Sequence, residues 1–346
     1  MKASPPELPP LIGHSRSFME LMDKVSKVAP LDRPVLVIGE RGTGKELIAS
    51  RLHFLSRRWD RNFVQLNCAA LAETLLETDL FGHEAGAFTG AARQRVGRFE
   101  LAHRGSLFLD EIANASMQVQ EKILRVIEYG TFERVGGNAT VSVDVRVIGA
   151  TNIDLPAAAE AGDFRHDLLD RLSFDVLTIP PLRARRDDVA VLALHFGRTI
   201  ALELGWEVFP GFAPGAMEKL EGYDWPGNVR ELKNVVERAV YRWPAPGEPI
   251  GELDFDPFES PYRPAGPKIP RATEPEIEPA AAAGIDGAKP LDYGETVAAL
   301  EVRILETALA ANRHNQRATA KHLGLTYHQL RHQLKKHGLL EGGTVA

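Results

Sequence analysis

The chain has 346 residues, 44% hydrophobic and 25% charged, with a formal net charge of −6. That composition predicts a folded chain of two or three domains and excludes a wholly disordered, collagen-like or coiled-coil protein. No apolar run approaches the ~18 residues that span a bilayer, the N-terminus MKASPPELPP lacks an apolar leader core, and a single cysteine, Cys68, excludes a disulfide framework or cysteine zinc site and suits a reducing cytoplasm.

Residues 1–10 carry four prolines and are predicted to be disordered. Val35-Leu36-Val37-Ile38 is short, apolar and β-branched, the pattern of a buried parallel strand. It runs into Gly39-Glu40-Arg41-Gly42-Thr43-Gly44-Lys45-Glu46, and a helix follows with Ile48, Leu52 and Leu55 on one face. Strand, glycine-rich loop, Gly-Lys and helix make a P-loop. Its backbone N–H groups wrap phosphates, and Lys45 reaches the β/γ-phosphates. Glu46 stands where a hydroxyl usually meets Mg²⁺, so the metal must rely on another carboxylate or on water. Trp59 continues the Ile48–Leu52–Leu55 stripe, which predicts it in the core.

Phe63-Val64-Gln65-Leu66 is a second strand and ends at Asn67. Gly86-Ala87-Phe88-Thr89-Gly90-Ala91 reads as two small-residue hinges around an exposed Phe-Thr tip, an inexpensive bend with one aromatic anchor. Ser106-Leu107-Phe108-Leu109 is a third strand, ending in Asp110 and Glu111. Ligands bind at strand ends in parallel α/β sheets. Asp110 would hold Mg²⁺ and Glu111 would polarise the attacking water; the alternative is an acidic cap on a helix beginning near Ala115. Val145–Ile148 is a fourth strand, followed by Thr151 and Asn152. Asn67 and Asn152 either orient water and restrain Glu111 or satisfy turn backbone; spacing does not separate the two. Arg165 and Arg171 lie six residues apart on a predicted helix and either pair with Asp167 and Asp170 or stabilise transferring phosphate, sometimes from a neighbouring subunit. Val176–Ile179 is a fifth strand.

Residues 244–290 hold eleven of the 23 prolines and predict an extended linker. From Thr307 to Leu340 there is no acid and six Lys or Arg, which leaves −12 on the remainder. This asymmetry is the footprint of a nucleic-acid module, although a solvated basic face has the same charge. Asp292–Ala311 has helical apolar spacing at Val297, Leu300, Ile304, Leu305, Ala308 and Leu309. Gln316–Leu323 is a second helix and Gly324-Leu325-Thr326 a turn. Thr326 caps a third helix, with Gln329 completing a capping box. Leu330 and Leu334 point inward. Tyr327, His328, Gln329, Arg331, His332 and Lys335 lie outward and, with Arg317, are the candidate DNA contacts. This is a helix-turn-helix shaped for the major groove; a dimerisation hairpin is the alternative.

GERGTGKE, GHEAGAFTGA, GSLFLDEI, RVIGATN, FRHDLLDRL and WPGNVRELKNVVERAV occur in this order. Together they closely resemble the AAA+ domain of bacterial enhancer-binding proteins, which activate transcription by sigma-54 RNA polymerase. The resemblance implies an α/β AAA+ P-loop parallel sheet over 11–175, a helical lid over 176–243 and a Fis-type all-α helix-turn-helix over 291–346. It implies ATP and Mg²⁺ as cofactors, and Glu46 is ordinary in this family. Gly86–Ala91 matches the sigma-gripping loop, with Phe88 and Thr89 as contacts, and Val135–Asn138 its supporting insertion. Asn67 matches the residue that switches Glu111, and Thr151 and Asn152 the first sensor. Arg165 and Arg171 match arginine fingers, which implies a ring, a hexamer. Arg230 matches the second sensor, and Ile12 and Gly13 the adenine-side segment. So few residues before Leu11 lead us to expect no sensory domain and regulation by another protein. APLDRPVLVIGERGTGKELIASRLHFLSRRW and LGLTYHQLRHQLKKHGL are similar to the phage shock branch of the family, whose repressor is phage shock protein A. Trp59 is a candidate contact for it, set against the core placement. Alternatives are a DNA-binding regulator that uses ATP only for assembly, a remodeller of protein clients, or another single-component sigma-54 activator.

Overall fold

Apolar strands without polar alternation need cover on both faces, and here they meet in one sheet. The computed structural model describes residues 10–258, 260, 262, 293–312, 315–325, 327–337 and 339. It divides into two units, Met1–Glu259 and Ser260–Ala346.

In the first unit the elements run α1 (Arg16–Val28), β1 (Val35–Ile38), α2 (Lys45–Phe54), β2 (Phe63–Asn67), α3 (Glu73–Phe81), α4 (Arg98–Leu101), β3 (Ser106–Asp110) and α5 (Met117–Tyr129). They continue β4 (Thr131–Glu133), β5 (Thr140–Ser142), β6 (Arg146–Thr151), α6 (Leu155–Glu160), α7 (His166–Leu172) and β7 (Val176–Thr178). The main sheet is parallel, in the order β2-β3-β6-β1-β7. One face packs Leu80, Phe81, Phe99, Ile123 and Leu168 against Leu107 and Leu109. The other packs Leu21, Val25, Ile48 and Leu52 against Phe108, Ile148 and Leu177. The register sets Ile38 beside Thr151 and Asn67 beside Asp110, so polar residues gather where β1, β2, β3 and β6 end.

The lid comprises α8 (Asp187–Glu203), α9 (Pro214–Gly222) and α10 (Asn228–Arg242). Trp225 is fully buried among them and donates its indole N–H to the Leu220 carbonyl at 2.8 Å. Two predicted boundaries change. Val176 pairs with Leu36, so the sheet extends past residue 175 and the lid starts beyond β7. Ile250 is fully buried, with Leu253 and Phe255 against the same core, so the lid extends past 243 into the predicted linker. Three local prolines did not stop this segment, because the non-proline Ile250 makes the backbone contacts, donating to Gly211 O at 3.0 Å and accepting from Ala213 N–H at 2.8 Å.

In the second unit α11 (Tyr293–Ala311), α12 (Gln316–His322) and α13 (Tyr327–Lys336) enclose Leu305, Leu309, Ala320, Leu330 and Leu334. Leu300 and Ile304 are exposed, so only part of the predicted α11 stripe is covered; the two short helices reach one side of it. The N-terminus over 1–9, the linker over 263–290 and Thr326 lie outside the described residues, as do the side chains of Val297, Arg317 and His328. Among the described residues no helix is long and apolar enough to cross a membrane.

Candidate functional site

Gly39–Glu46 leaves the end of β1 and turns into α2. Gly42 and Gly44 hold φ of +78° and +98°, a region L side chains rarely adopt. A Cβ on Gly42 would also lie 2.3 Å from the Gly227 carbonyl oxygen. The Thr43 hydroxyl donates to the Glu40 carbonyl at 2.8 Å and folds the loop on itself. Lys45 is buried and donates to the Gly39 carbonyl at 3.1 Å, with Glu111 Oε1 at 3.5 Å. Glu46 is exposed.

Asp110 ends β3. Burial raises its carboxyl above the usual range, the neighbouring Glu111 adds to this, and Lys45 opposes it. Glu111 itself is left-handed, φ +51°, and its N–H donates to Asp110 Oδ1 at 3.0 Å. A non-glycine residue in that region stores strain of the kind found at working sites. Asn67 donates to Asp110 Oδ2 at 3.1 Å, not to Glu111, because the β2–β3 register puts the two side by side. Of the two candidate amides it is Asn152 that reaches Glu111: in the amide orientation that satisfies both of its ends, its N–H donates to Glu111 Oε2 at 2.8 Å and its oxygen accepts from Arg41 Nε at 3.2 Å. Thr151 is fully buried.

Arg41–Glu46, Asn67, Asp110 and Glu111 wall a cleft of about 840 Å³, which Ile12 and Arg230 also line. Gly13 lies behind that wall at φ +156°. The lid is clasped to the phosphate loop. Arg183 grips both Glu40 carboxylate oxygens at 2.8 and 2.5 Å, and Asn228 donates to Glu40 Oε2 at 3.0 Å and to the Arg41 carbonyl at 3.1 Å. The Arg183 bond first, then the Asn228 bond, holds the Glu40 carboxyl at about 2. The clasp's contribution is therefore full above the ordinary carboxyl value of 4.5 and is lost only as pH falls through about 2. Arg183 and Asn228 were absent from the sequence reading; their partner lies more than 140 residues away.

The donor set fits a nucleotide polyphosphate: left-handed glycines, a buried ammonium and a helix N-terminus. Among the described residues no cluster of three or more His, Cys, Asp or Glu could hold a metal alone. Asp110 with phosphate and water oxygens suits Mg²⁺, which commonly binds through one or two carboxylates and substrate phosphates.

Arg165 pairs with Asp167 at 2.8 Å and Glu121 at 3.7 Å, and Arg171 with Glu128 at 2.7 Å. Neither lines the cleft of its own chain.

Gly86–Ala91 forms a closed loop: Gly86 N–H donates to Ala91 O at 2.7 Å, and Ala91 N–H to Phe88 O at 3.0 Å. Gly86 and Gly90 have φ of +82° and +107°. Phe88 is 45% exposed, its ring 5.0 Å from that of His83. The Arg134–Gly137 segment lies alongside, with Glu84 N–H donating to Val135 O at 3.1 Å. Arg134 pairs with Glu84 and Glu100 at 2.9 and 2.6 Å.

Trp59 is 54% exposed, which corrects the core placement. Helix α2 ends at Phe54, so helical spacing stops there. Arg58 holds the following turn through Asp32, Asp144 and the Gly105 carbonyl. On α13, Tyr327, Gln329, Arg331, His332 and Lys335 are exposed.

Family models match three stretches: "Sigma-54 interaction domain" over residues 11–178, "AAA+ ATPase lid domain" over 183–257, and "Bacterial regulatory protein, Fis family" over 296–337. The Psp operon transcriptional activator of Escherichia coli K12 is 52% identical over 327 residues, 94% of this chain and 97% of that one. The transcriptional regulatory protein ZraR of the same organism is 42% identical over 91% of this chain and 66% of its own length. Among solved structures, NtrX from Brucella abortus in complex with ATP superposes with a TM-score of 0.66 at 34% identity, covering 95% of this chain and 70% of that one.

Proposed function

The chain belongs to the sigma-54-dependent transcriptional activators with an AAA+ domain and a Fis-type helix-turn-helix, and from that premise we propose that it hydrolyses ATP to remodel the sigma-54 promoter complex while bound to enhancer DNA. The observation that carries the hydrolytic part is Glu111, strained and hydrogen-bonded, 3.5 Å from the P-loop lysine. Gly39–Glu46 and Arg230 bind the phosphates, with Ile12 and Gly13 on the adenine side. Asp110 would hold Mg²⁺ together with phosphate oxygens, and the ion would supply charge neutralisation there. Glu111 orients a water whose oxygen attacks the γ-phosphorus, and the bridging P–O bond to the β-phosphate breaks, giving ADP and phosphate. Asn152 fixes the Glu111 carboxylate, and Asn67 acts one step back, through Asp110. The decisive assay is transcription in vitro from a sigma-54 promoter with and without ATP. Activation without hydrolysable nucleotide would sink the motor reading in favour of a DNA-binding regulator.

Phe88 and Thr89, on the Gly86–Ala91 loop, contact sigma-54. Arg165 and Arg171 act across the subunit interface of a ring, a hexamer, since both lie away from their own cleft. If so, a variant lacking both arginines mixed with Lys45→Ala should regain ATPase activity, although neither parent is active alone. No recovery in rings confirmed to be mixed would count against action in trans.

Its identity to the Psp operon activator supports the phage shock operon as the target, and phage shock protein A as the repressor with exposed Trp59 as a contact. Work on DNA and polymerase would be done in the cytoplasm. On α13, Arg331→Ala should weaken enhancer binding by about 1–3 kcal/mol with relaxed specificity if Arg331 reads a base, or uniformly across sequences if it meets phosphate. Binding titrations on cognate and scrambled DNA distinguish these; ATP turnover should stay at the wild-type rate.

A further inference from the structure

A buried charge outside every motif ties the 11–15 wall of the cleft to the start of the lid. Asp188, in the first turn of α8, is fully buried. Its Oδ1 accepts the backbone N–H groups of His14 at 2.6 Å and Ser15 at 2.7 Å, and its Oδ2 accepts the Ser15 hydroxyl at 2.7 Å. A carboxylate taken out of water needs such partners and a counter-charge. Arg185 supplies the charge, 3.9 Å from Oδ2. That guanidinium is itself buried, sits 5.1 Å from the centre of the Phe18 ring, and donates to the Thr43 carbonyl at 3.4 Å; its Nε has no partner among the described residues. Gly13 closes the arrangement, since a Cβ there would lie 2.9 Å from Asp188 Oδ2 and 2.6 Å from Phe18. Three separate stretches thus meet at the Asp188–Arg185 pair: the 11–15 segment on the carboxylate, the phosphate loop on the guanidinium, and the start of the lid, which carries both. Ile12, Phe18, Thr43 and Arg185 all face the cleft.

We propose that Asp188, with Arg185 as its counter-ion, is a positioning residue for the nucleotide, tying the base-side wall of the cleft to the lid so that the two move together. The proposal rests on the reading that this cleft takes ATP. It predicts that the pair acts on nucleotide affinity rather than on the chemical step, because neither side chain approaches Glu111 or Lys45.

Asp188→Asn keeps the volume and places an N–H₂ where an oxygen accepted; Ser15→Ala removes one hydrogen bond and leaves the carboxylate in place. Titration of ATP and ADP against the full chain, with steady-state turnover, reads the effect. Asp188→Asn should raise Kd for ATP and ADP by the same factor, roughly tenfold or more, as expected for hydrogen bonds to a charged group. KM should rise with it, while turnover at saturating ATP falls by less than the rise in KM. Ser15→Ala should move both affinities in the same direction by a smaller factor. Equal effects on ATP and ADP mark a wall that does not sense the γ-phosphate. A lower melting temperature with both Kd values unchanged, or a loss confined to kcat, would overturn the proposal. If Asp188→Asn does not fold, Ser15→Ala decides alone, and unchanged affinities in it overturn the proposal. Lys45→Ala keeps the two readings apart: wild-type ATP affinity in that variant would fault the cleft as the ATP site, whatever Asp188 does.

Discussion

Lys45→Ala is expected to lose ATP binding, with Kd rising by roughly 100-fold or more as a charge-assisted phosphate contact disappears, whereas Glu111→Ala should bind ATP and fail to turn it over. The two side chains are 3.5 Å apart, yet they act at different stages. Lys45 is buried, with a carbonyl and a distant carboxylate as its company, so phosphate is the partner that completes its donors. Its removal is felt in the ground state. In the proposed mechanism Glu111 acts on water only in the chemical step, so its loss should fall on kcat, by roughly 10²–10⁴ if it works as a general base. Removing that carboxylate also relieves crowding on Asp110, whose carboxyl is raised in part by Glu111. ATP affinity should therefore hold or improve. Calorimetric binding together with phosphate release checks both variants, and near-normal turnover in Glu111→Ala would remove the assignment.

Phe88→Ala should abolish activation at a sigma-54 promoter while ATP turnover and DNA binding stay near wild type. The ring is 45% exposed at the end of a closed loop and touches His83 rather than the core. Its truncation opens no internal cavity, so the large core penalties do not apply. What it deletes is an aromatic anchor, the residue class that dominates binding hot spots, where single truncations cost about 2 kcal/mol or more. Thr89→Ala should behave alike. A Phe88→Ala chain that still activates, or one that has lost ATPase activity, would show that loop and cleft are not divided in this way.

The P-loop and the Asp110-Glu111 pair were legible because each is a local pattern: an apolar strand fixes the position of whatever follows it. Both candidate amides, Asn67 and Asn152, were named, but which of them meets Glu111 was not legible, because strand register decides it. Asn67 sits opposite Asp110 in the β2–β3 ladder, and Asn152 reaches Glu111 from β6. The lid clasp and the Asp188 junction escaped for a related reason. Glu40 with Arg183, and Asp188 with Ser15, are ordinary surface-type residues until a chain more than 140 residues long folds back on itself. Trp59 shows the opposite failure, a periodic stripe followed beyond the end of its helix. In the C-terminal unit the positions that became core, Leu305, Leu309, Leu330 and Leu334, were readable from spacing alone.

Gly86 and Gly90 bracket the Phe88 tip. A Cβ at either position would meet nothing within 4 Å, so handedness of the backbone, not want of space, is what calls for glycine there. At Gly136 the reverse holds, since a Cβ would lie 2.6 Å from that of Ala87. The loop thus turns at two unobstructed glycines and rests at Ala87 on Gly136 and at Phe88 on His83. The tip itself, Phe88 with Thr89, is exposed, while Ala91 at the loop's end is buried, so the anchor and the attachment are separate residues. A chain built this way can alter its reach by substitution at the tip without drawing on the margin that keeps it folded.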